Sequence, residues 1–209
     1  MRALFALFLG LVAASPLFLA GPARAAALSD RDKADIAQAE TYMNGITSLK
    51  AHFLQFSDVG GQAEGTAYLS RPGKLRLQYD PPSPLLLVAD GSFLIVDDKR
   101  DDNPSYIPLN STPAGILVRK HVDLTGGDVK VTKVAHQPGV VTLTMVSSDD
   151  PGQGQLALVF SERPFQLRQW QVIDAQGQVT TVSLFNVETG IPLDSQLFIV
   201  KNKRDDVLN

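Results

Sequence analysis

Apolar residues between positions 29 and 45 recur at intervals of three and four, and this spacing predicts a helix with one apolar face. The periodic positions are Ile36, Ala39, Tyr42 or Met43, and Ile46. Ser29 or Asp30 would cap the first turn, where the early acidic residues favour the positive end of the helix dipole. Asn44 and Gly45 would end the helix.

From Leu49 onward the period changes to two, and short apolar segments alternate with turns that contain Gly and Pro. The segments are AYLS, KLRLQYD, LLLVAD, FLIVDD, DVKVTKV, VVTLTMVSS, QLALVFS, FQLRQWQVID and VTTVSLFNVE. The connections are too short for crossover helices, so the strands are predicted to be antiparallel. One segment, STPAGILVRKHVDL at 111–124, breaks the pattern. Ser111 or Thr112 would cap it and Pro113 fits the first turn, so we expect a brief helix inserted in the sheet.

Two of these segments, LLLVAD and FLIVDD, are apolar on both faces. A single sheet with one or two helices has little partner surface for so many apolar side chains. Either the sheet curls upon itself or it encloses a ligand. The alternative is the ordinary core of a sandwich or barrel.

The first 25 residues have the order of a secretory signal peptide, with Arg2 first, an apolar run next and small residues last. Cleavage after Ala25 is predicted, with Ala27 as a second option. The competing interpretation is an uncleaved membrane anchor, but Pro16 and the small residues that follow the apolar run disfavour it. Residues 26–209 would then form a single domain in the periplasm.

Composition narrows the possible partners. The formal net charge is −3 with a pI near 5.6, and it becomes more negative once Arg2 and Arg24 leave with the signal peptide. A chain of this charge has no basic surface of the kind that nucleic acids require. It contains no Cys, which excludes a lipidated N-terminal Cys and any Cys-based metal site.

The sequence offers little catalytic chemistry. Its three histidines, His52, His121 and His136, lie in no hydrolase, zinc or phosphate-binding motif. We therefore expect a binding protein rather than an enzyme, without metal or cofactor. A hydrolase acting on lipids or glycans is the alternative from a different class.

Several segments, taken in order, resemble the periplasmic outer-membrane lipoprotein carrier proteins of the LolA family. They are FLQFS at 53–57, GTAYLSRPGKLRLQYDPP at 65–82, LLLVADGSFLIVDD at 85–98 and STPAGILV at 111–118. The resemblance covers most of residues 28–118. The later half matches as a strand pattern, up to FNVETGIPLDSQLFIV.

This resemblance implies a mainly β fold with a few α-helices. A strongly curved antiparallel sheet would form an unclosed barrel, with a helical lid over an apolar cavity. The family's function is to carry the acyl chains of lipoproteins from the inner to the outer membrane. The implied partners are acylated lipoproteins, an inner-membrane lipoprotein-releasing ABC transporter and an outer-membrane acceptor, and we expect a monomer. A carrier or sensor of another amphiphile on the same fold is the alternative.

The resemblance also implies roles for particular residues. In the family an arginine of the R-P segment hydrogen-bonds to the lid backbone and holds the empty carrier closed, and Arg71 is the matching position. Its planar guanidinium suits main-chain carbonyls better than a lysine would. The candidates for the acyl-chain lining are apolar strand and helix residues: Phe53, Leu75, Leu77, Tyr79, Leu85, Leu87, Phe93, Ile95, Ile116, Leu117, Leu143, Met145, Leu158 and Trp170. Alternation places about half of such residues inside, without saying which half.

Overall fold

The computed structural model describes residues 28–101, 103–127 and 129–200. The predicted signal peptide, residues 1–25, lies outside these ranges. The first element is helix α1, Asp30–Gly45. It begins with a capping box, in which the Ser29 hydroxyl accepts from the Asp32 N–H at 3.2 Å and the Asp32 carboxylate accepts from the Ser29 N–H at 2.8 Å. The predicted helix and its cap are confirmed.

Eleven strands form one sheet in the described part of the chain, and all neighbouring strands are antiparallel. They are β1 Ser48–Ser57, β2 Gly61–Ser70, β3 Lys74–Tyr79, β4 Leu85–Asp90, β5 Phe93–Asp98, β6 Ser105–Pro108, β7 Val129–Gln137, β8 Val140–Ser147, β9 Gly154–Glu162, β10 Phe165–Asp174 and β11 Val179–Thr189. The short 3₁₀-helices are Leu109–Ser111, Pro113–Val118, Pro151–Gln153 and Ser195–Phe198. Thr112 caps the 3₁₀-helix Pro113–Val118, because its side chain accepts from the Gly115 N–H. This confirms the brief helix predicted at this point.

The strand order is β6-β5-β4-β3-β2-β1-β11-β10-β9-β8-β7. Strands β1 to β6 and strands β7 to β11 are therefore two separate meanders, and they join where the first strand pairs with the last. Alternation along the chain predicted the hairpins but not this long-range pairing. It also missed β6, whose sequence SYIP is short and exposed throughout.

The sheet is strongly curved. Leu75 of β3 and Trp170 of β10 line one small cavity, although four neighbour-to-neighbour steps separate their strands. In a flat sheet those strands would lie about 19 Å apart, at about 4.8 Å per step. The two ends of the order, β6 and β7, do not pair with each other, so the barrel stays unclosed as predicted.

Helix α1 and the 3₁₀-helix Pro113–Val118 supply buried side chains to the core on the inner face of this sheet. Ile36, Ala39 and Met43 of α1 are buried in the same hydrophobic cluster as Ile116 and Leu117. The cluster includes residues from most of the strands. The core therefore lies between the curved sheet and these two elements.

No helix within the described ranges has the length and apolar character needed to cross a membrane.

Candidate functional site

The interior beneath α1 and the 3₁₀-helix Pro113–Val118 is apolar and nearly filled. It contains a cavity of about 10 Å³, a volume close to the minimum that holds one water molecule. Its lining comes from α1, four strands, the 3₁₀-helix and their connections: Met43, Ile46, Leu49, Ala67, Leu69, Arg71, Leu75, Leu117, Leu167 and Trp170. Arg71 is the one charged side chain in this set. A site of this kind offers mainly apolar contact.

Most of the predicted lining residues come together in this interior. Ten of the fourteen belong to one buried cluster: Phe53, Leu75, Leu77, Tyr79, Ile116, Leu117, Leu143, Met145, Leu158 and Trp170. Leu85 and Leu87 are half-buried and pack against it. Twelve candidates therefore share one continuous apolar region.

Phe93 and Ile95 lie on the other face of the sheet, so their assignment to the lining is corrected. Ile95 is directly opposite Val88 across the β4–β5 pair, and neither residue belongs to the inner cluster. Phe93 is 41% exposed, and its ring contacts that of Tyr106. The neighbouring Leu94 packs against the cluster instead. Every residue of the run FLIV is apolar, so its pattern did not reveal which alternate residues face inward.

The outer face of β3 and β4 is covered by the chain's own C-terminal segment. The 3₁₀-helix Ser195–Phe198 contacts both strands. Arg76 Nη1 donates to the Leu197 carbonyl at 2.9 Å, and Lys74 Nζ lies 5.8 Å from the Phe198 ring centroid. Phe198 is itself buried. The apolar residues on both faces of this region are thus explained in part by intramolecular packing.

Arg71, at the β2–β3 turn, bridges the two elements that cover the interior. Its Nη1 donates to the Met43 carbonyl of α1 at 2.6 Å. Nε and Nη2 both donate to the Leu117 carbonyl, at 3.1 and 2.8 Å. Main-chain hydrogen bonds run beside them, from the Arg71 N–H to the Thr47 carbonyl at 2.8 Å and from the Gly73 N–H to the Val118 carbonyl at 2.7 Å. These are contacts of the kind that the family resemblance implies for this position.

Burial changes the chemistry of Arg71 without neutralising it. Desolvation lowers the pKa of the guanidinium to about 10, so the group remains charged at neutral pH. Hydrogen bonds from a charged donor to carbonyls are stronger than neutral ones and contribute about 1.5–3 kcal/mol each. Arg71 is therefore a strong connection between the sheet and both covering elements.

A second connection joins α1 to residues 122–124, which we call the strap. The Asn44 side chain pairs with Val122 in both directions: Nδ2 donates to the carbonyl at 2.8 Å, and Oδ1 accepts from the N–H at 2.9 Å. Glu40 Oε2 accepts from the Leu124 N–H at 2.7 Å. The side chains of Val122 and Leu124 are buried in the core.

The sequence interpretation assigned Asn44 only to ending the helix and gave Glu40 no role. An amide side chain can donate and accept hydrogen bonds at once. This property does not indicate which distant residue is its partner.

The other end of α1 is attached to the sheet by polar side chains. His136 Nε2 of β7 lies 2.7 Å from Asp35 Oδ2, and Arg31 Nη2 donates to Glu162 Oε1 of β9 at 3.2 Å. His136 is thus an inter-element contact. The described residues contain no cluster of three His, Asp or Glu that could hold a metal ion.

Comparison with known proteins places this geometry in a family. A family model described as "Outer membrane lipoprotein carrier protein LolA" matches residues 44–201. An outer-membrane lipoprotein carrier protein of Chromohalobacter salexigens is 30% identical over an alignment of 165 residues that covers 75% of this chain and 77% of the relative. A protein of the same description from Methylococcus capsulatus is 27% identical over an alignment of 168 residues that covers 76% of this chain and 79% of the relative.

The match extends through the second half of the chain, where the sequence had shown only a strand pattern. A solved structure of a DUF1329 family protein from Desulfovibrio piger has a TM-score of 0.50 at 11% identity and covers 82% of this chain and 98% of its own. At that identity the likeness concerns the fold alone.

Proposed function

The chain belongs to the LolA family of outer-membrane lipoprotein carrier proteins, and on that premise we propose that it carries lipoproteins by sheltering their acyl chains. The observation that supports this most directly is the apolar interior beneath two covering elements that one arginine bridges. We call α1 and the 3₁₀-helix Pro113–Val118 the lid.

The need for such a carrier follows from the hydrophobic effect. A lipid anchor with three acyl chains has about 45 methylenes, and at about 0.8 kcal/mol each their exposure to water would cost roughly 35 kcal/mol. Unassisted transfer through water is therefore negligible. A carrier has to cover most of this surface and still release it.

The closed interior favours a mechanism in which the cargo replaces internal contacts. A cavity of about 10 Å³ is far below the roughly 300–1,000 Å³ of ordinary ligand sites, so the lid must move before a chain enters. Lid residues such as Met43, Ile116 and Leu117 are buried in the closed state. Acyl chains would take over their contacts with the sheet, and the net change in buried apolar area would be small. Release is then possible without a large free-energy cost.

Arg71 would be the latch of this mechanism. Its hydrogen bonds to Met43 and Leu117 join both lid elements to the β2–β3 turn, and opening has to break at least one set. They would stabilise the empty closed state and thereby favour release of the cargo.

The remaining parts of the proposal rest on the family premise and the N-terminal sequence. Residues 1–25 would direct the chain to the periplasm and be removed. Loading by an inner-membrane lipoprotein-releasing ABC transporter and delivery to an outer-membrane acceptor would complete the route, with no catalysis by this chain.

The test is binding of a fluorescent fatty-acyl probe to purified protein that lacks residues 1–25. We expect saturable uptake, competed by a triacylated lipoprotein and not by the same lipoprotein without its lipid. Absence of uptake, or uptake that the lipoprotein does not affect, would refute the proposal. Mass spectrometry of lipids and lipoproteins that copurify from the periplasm identifies the cargo.

A further inference from the structure

An open groove of about 590 Å³ runs along the outside of the lid. It lies between the first half of α1, residues 124–127 and the start of β7. Its volume is in the range of sites that hold small ligands, in contrast to the filled interior.

Three residues of the hydrophobic core also line this groove. Ile36, Leu124 and Val129 line the groove, and the same three side chains are buried in the core cluster. A chain lying in the groove would therefore contact the core without any prior opening of the lid.

The strap meets both the groove and the buried core at Leu124. Leu124 belongs to both, and its N–H is held by Glu40 at 2.7 Å. Two residues earlier, Asn44 holds Val122 by two hydrogen bonds. Breaking these three hydrogen bonds and withdrawing the buried side chains of Val122 and Leu124 would release the strap from α1 and connect the groove with the interior.

Lys33 and Lys130 contribute to the groove lining. Lys130 is exposed, and Lys33 Nζ lies 2.9 Å from Asp30 Oδ1 at the surface. Lysine stems extend an apolar wall while their ammonium groups stay in water. Ammonium groups donate hydrogen bonds, which complements the ester and amide carbonyl acceptors at the head of an acylated molecule.

We propose that this groove is the loading site at which one acyl chain of the cargo first binds while the lid is closed, and that the strap is the gate through which it passes inward. The inference rests on the proposed carrier function and adds the route of loading. An acyl chain fits better than a peptide because most of the lining surface is apolar and the two lysines of the lining are exposed.

The chain offers a matched pair of variants for the test. A Cβ on Gly126 would meet only Asp123 Oδ2 at 3.7 Å, and a Cβ on Gly60 would meet Ser57 at 3.6 Å. Both are ordinary contacts, so Gly126→Trp would obstruct the groove and Gly60→Trp would place the same side chain on the β1–β2 turn. The Gly126 main chain keeps its hydrogen bond to Asp123.

Stopped-flow association of the fluorescent fatty-acyl probe is the measurement, with the melting temperature as a check on folding. We expect Gly126→Trp to slow association by about tenfold, the effect of about 1.4 kcal/mol, and Gly60→Trp to leave it unchanged. Glu40→Ala should accelerate association because it frees the Leu124 N–H, whereas Glu40→Gln keeps an acceptor and should behave like the unmodified protein.

Equal association rates for the folded Gly126→Trp and Gly60→Trp variants would overturn the proposal, since the probe would then enter elsewhere. Slowed association in the presence of a lipoprotein without lipid would also overturn it, because a polypeptide would be occupying the groove. If the carrier function itself were wrong, neither the unmodified protein nor any of the variants would take up the probe.

Discussion

Arg71 donates two hydrogen bonds to a single acceptor, the carbonyl oxygen of Leu117, from Nε at 3.1 Å and Nη2 at 2.8 Å. Its third nitrogen reaches Met43 at 2.6 Å. One side chain of the β2–β3 turn thus contacts both α1 and the 3₁₀-helix Pro113–Val118. A planar guanidinium can satisfy two carbonyls in this way, whereas an ammonium is a point donor.

The first prediction concerns Arg71→Leu, which removes the bridge and retains an apolar side chain. The empty closed state should lose about 1.5 kcal/mol or more, so the variant should load the acyl probe but release it about tenfold more slowly. Release into outer-membrane vesicles is the measurement. Arg71→Lys is the control for charge, and its release rate should lie between those of Arg71→Leu and the unmodified protein. Transfer by Arg71→Leu at the unmodified rate would show that the arginine is not a latch.

A second prediction tests which face of the sheet lines the interior. Leu87 packs against the inner cluster and Phe93 lies on the outer face, 41% exposed. Leu87→Ala should weaken binding of the acyl probe, by up to about tenfold for two or so lost methylene contacts. Phe93→Ala removes more apolar surface and should leave binding unchanged. Titration of the probe into both variants measures the two affinities. A larger loss of affinity for Phe93→Ala than for Leu87→Ala would contradict the inner-face assignment.

The features that the sequence predicted correctly are those determined by residues close together in the chain. Helix α1, its Ser29 cap and the brief helix after Thr112 follow from short-range patterns, and the structure has all three. The antiparallel sheet also followed, because the Gly- and Pro-containing connections are too short for anything else. The role predicted for Arg71 came from the family resemblance rather than from the spacing of residues in the sequence.

The features that were missed depend on partners distant in the chain. The pairing of β1 with β11 and the hydrogen bonds between Asn44 and Val122 join segments that no local pattern relates. Phe93 and Ile95 were misplaced for a different reason: both faces of β5 carry apolar side chains, since Leu94 packs against the core and Ile95 is buried on the outer face. Alternation gives a face only when the two faces differ in polarity.

A third prediction concerns Gly65, the first residue of the segment GTAYLSRPGK. A Cβ at this position would overlap the carbonyl oxygen of Gln78 and approach Tyr79 Cα at 2.8 Å, since Gly65 lies opposite Tyr79 in the β2–β3 pair. Gly is used in strands where another backbone approaches this closely. Gly65→Ala should lower the free energy of unfolding by about 1–3 kcal/mol or more. The test is urea unfolding of Gly65→Ala and of Gly60→Ala, whose added Cβ meets only ordinary contacts. Equal stability of the two variants would contradict the prediction.

The last prediction is a pH dependence that arises from Tyr79. Its hydroxyl donates to Gln55 Oε1 at 2.7 Å, and burial raises the pKa of the phenol from 10.0 to about 12. Above pH 10 the unfolded chain loses this proton while the folded protein keeps it, so the folded state binds more protons and stability falls as pH rises. The contribution is fully present below pH 10 and is lost by about pH 12. The full loss amounts to about 3 kcal/mol, at about 1.4 kcal/mol per pKa unit.

Urea unfolding between pH 9 and pH 11.5 measures this slope. Tyr79→Phe should unfold at lower urea at pH 9, because the Gln55 partner is lost, and should show a shallower decline above pH 10. Tyr106→Phe, which removes an exposed phenol, should keep the decline of the unmodified protein. Phenolate absorbance, followed as the pH is raised, should show that Tyr79 ionises only when the protein unfolds. If Tyr79→Phe and the unmodified protein lose stability in parallel above pH 10, the phenol is not held neutral by its burial in the interior.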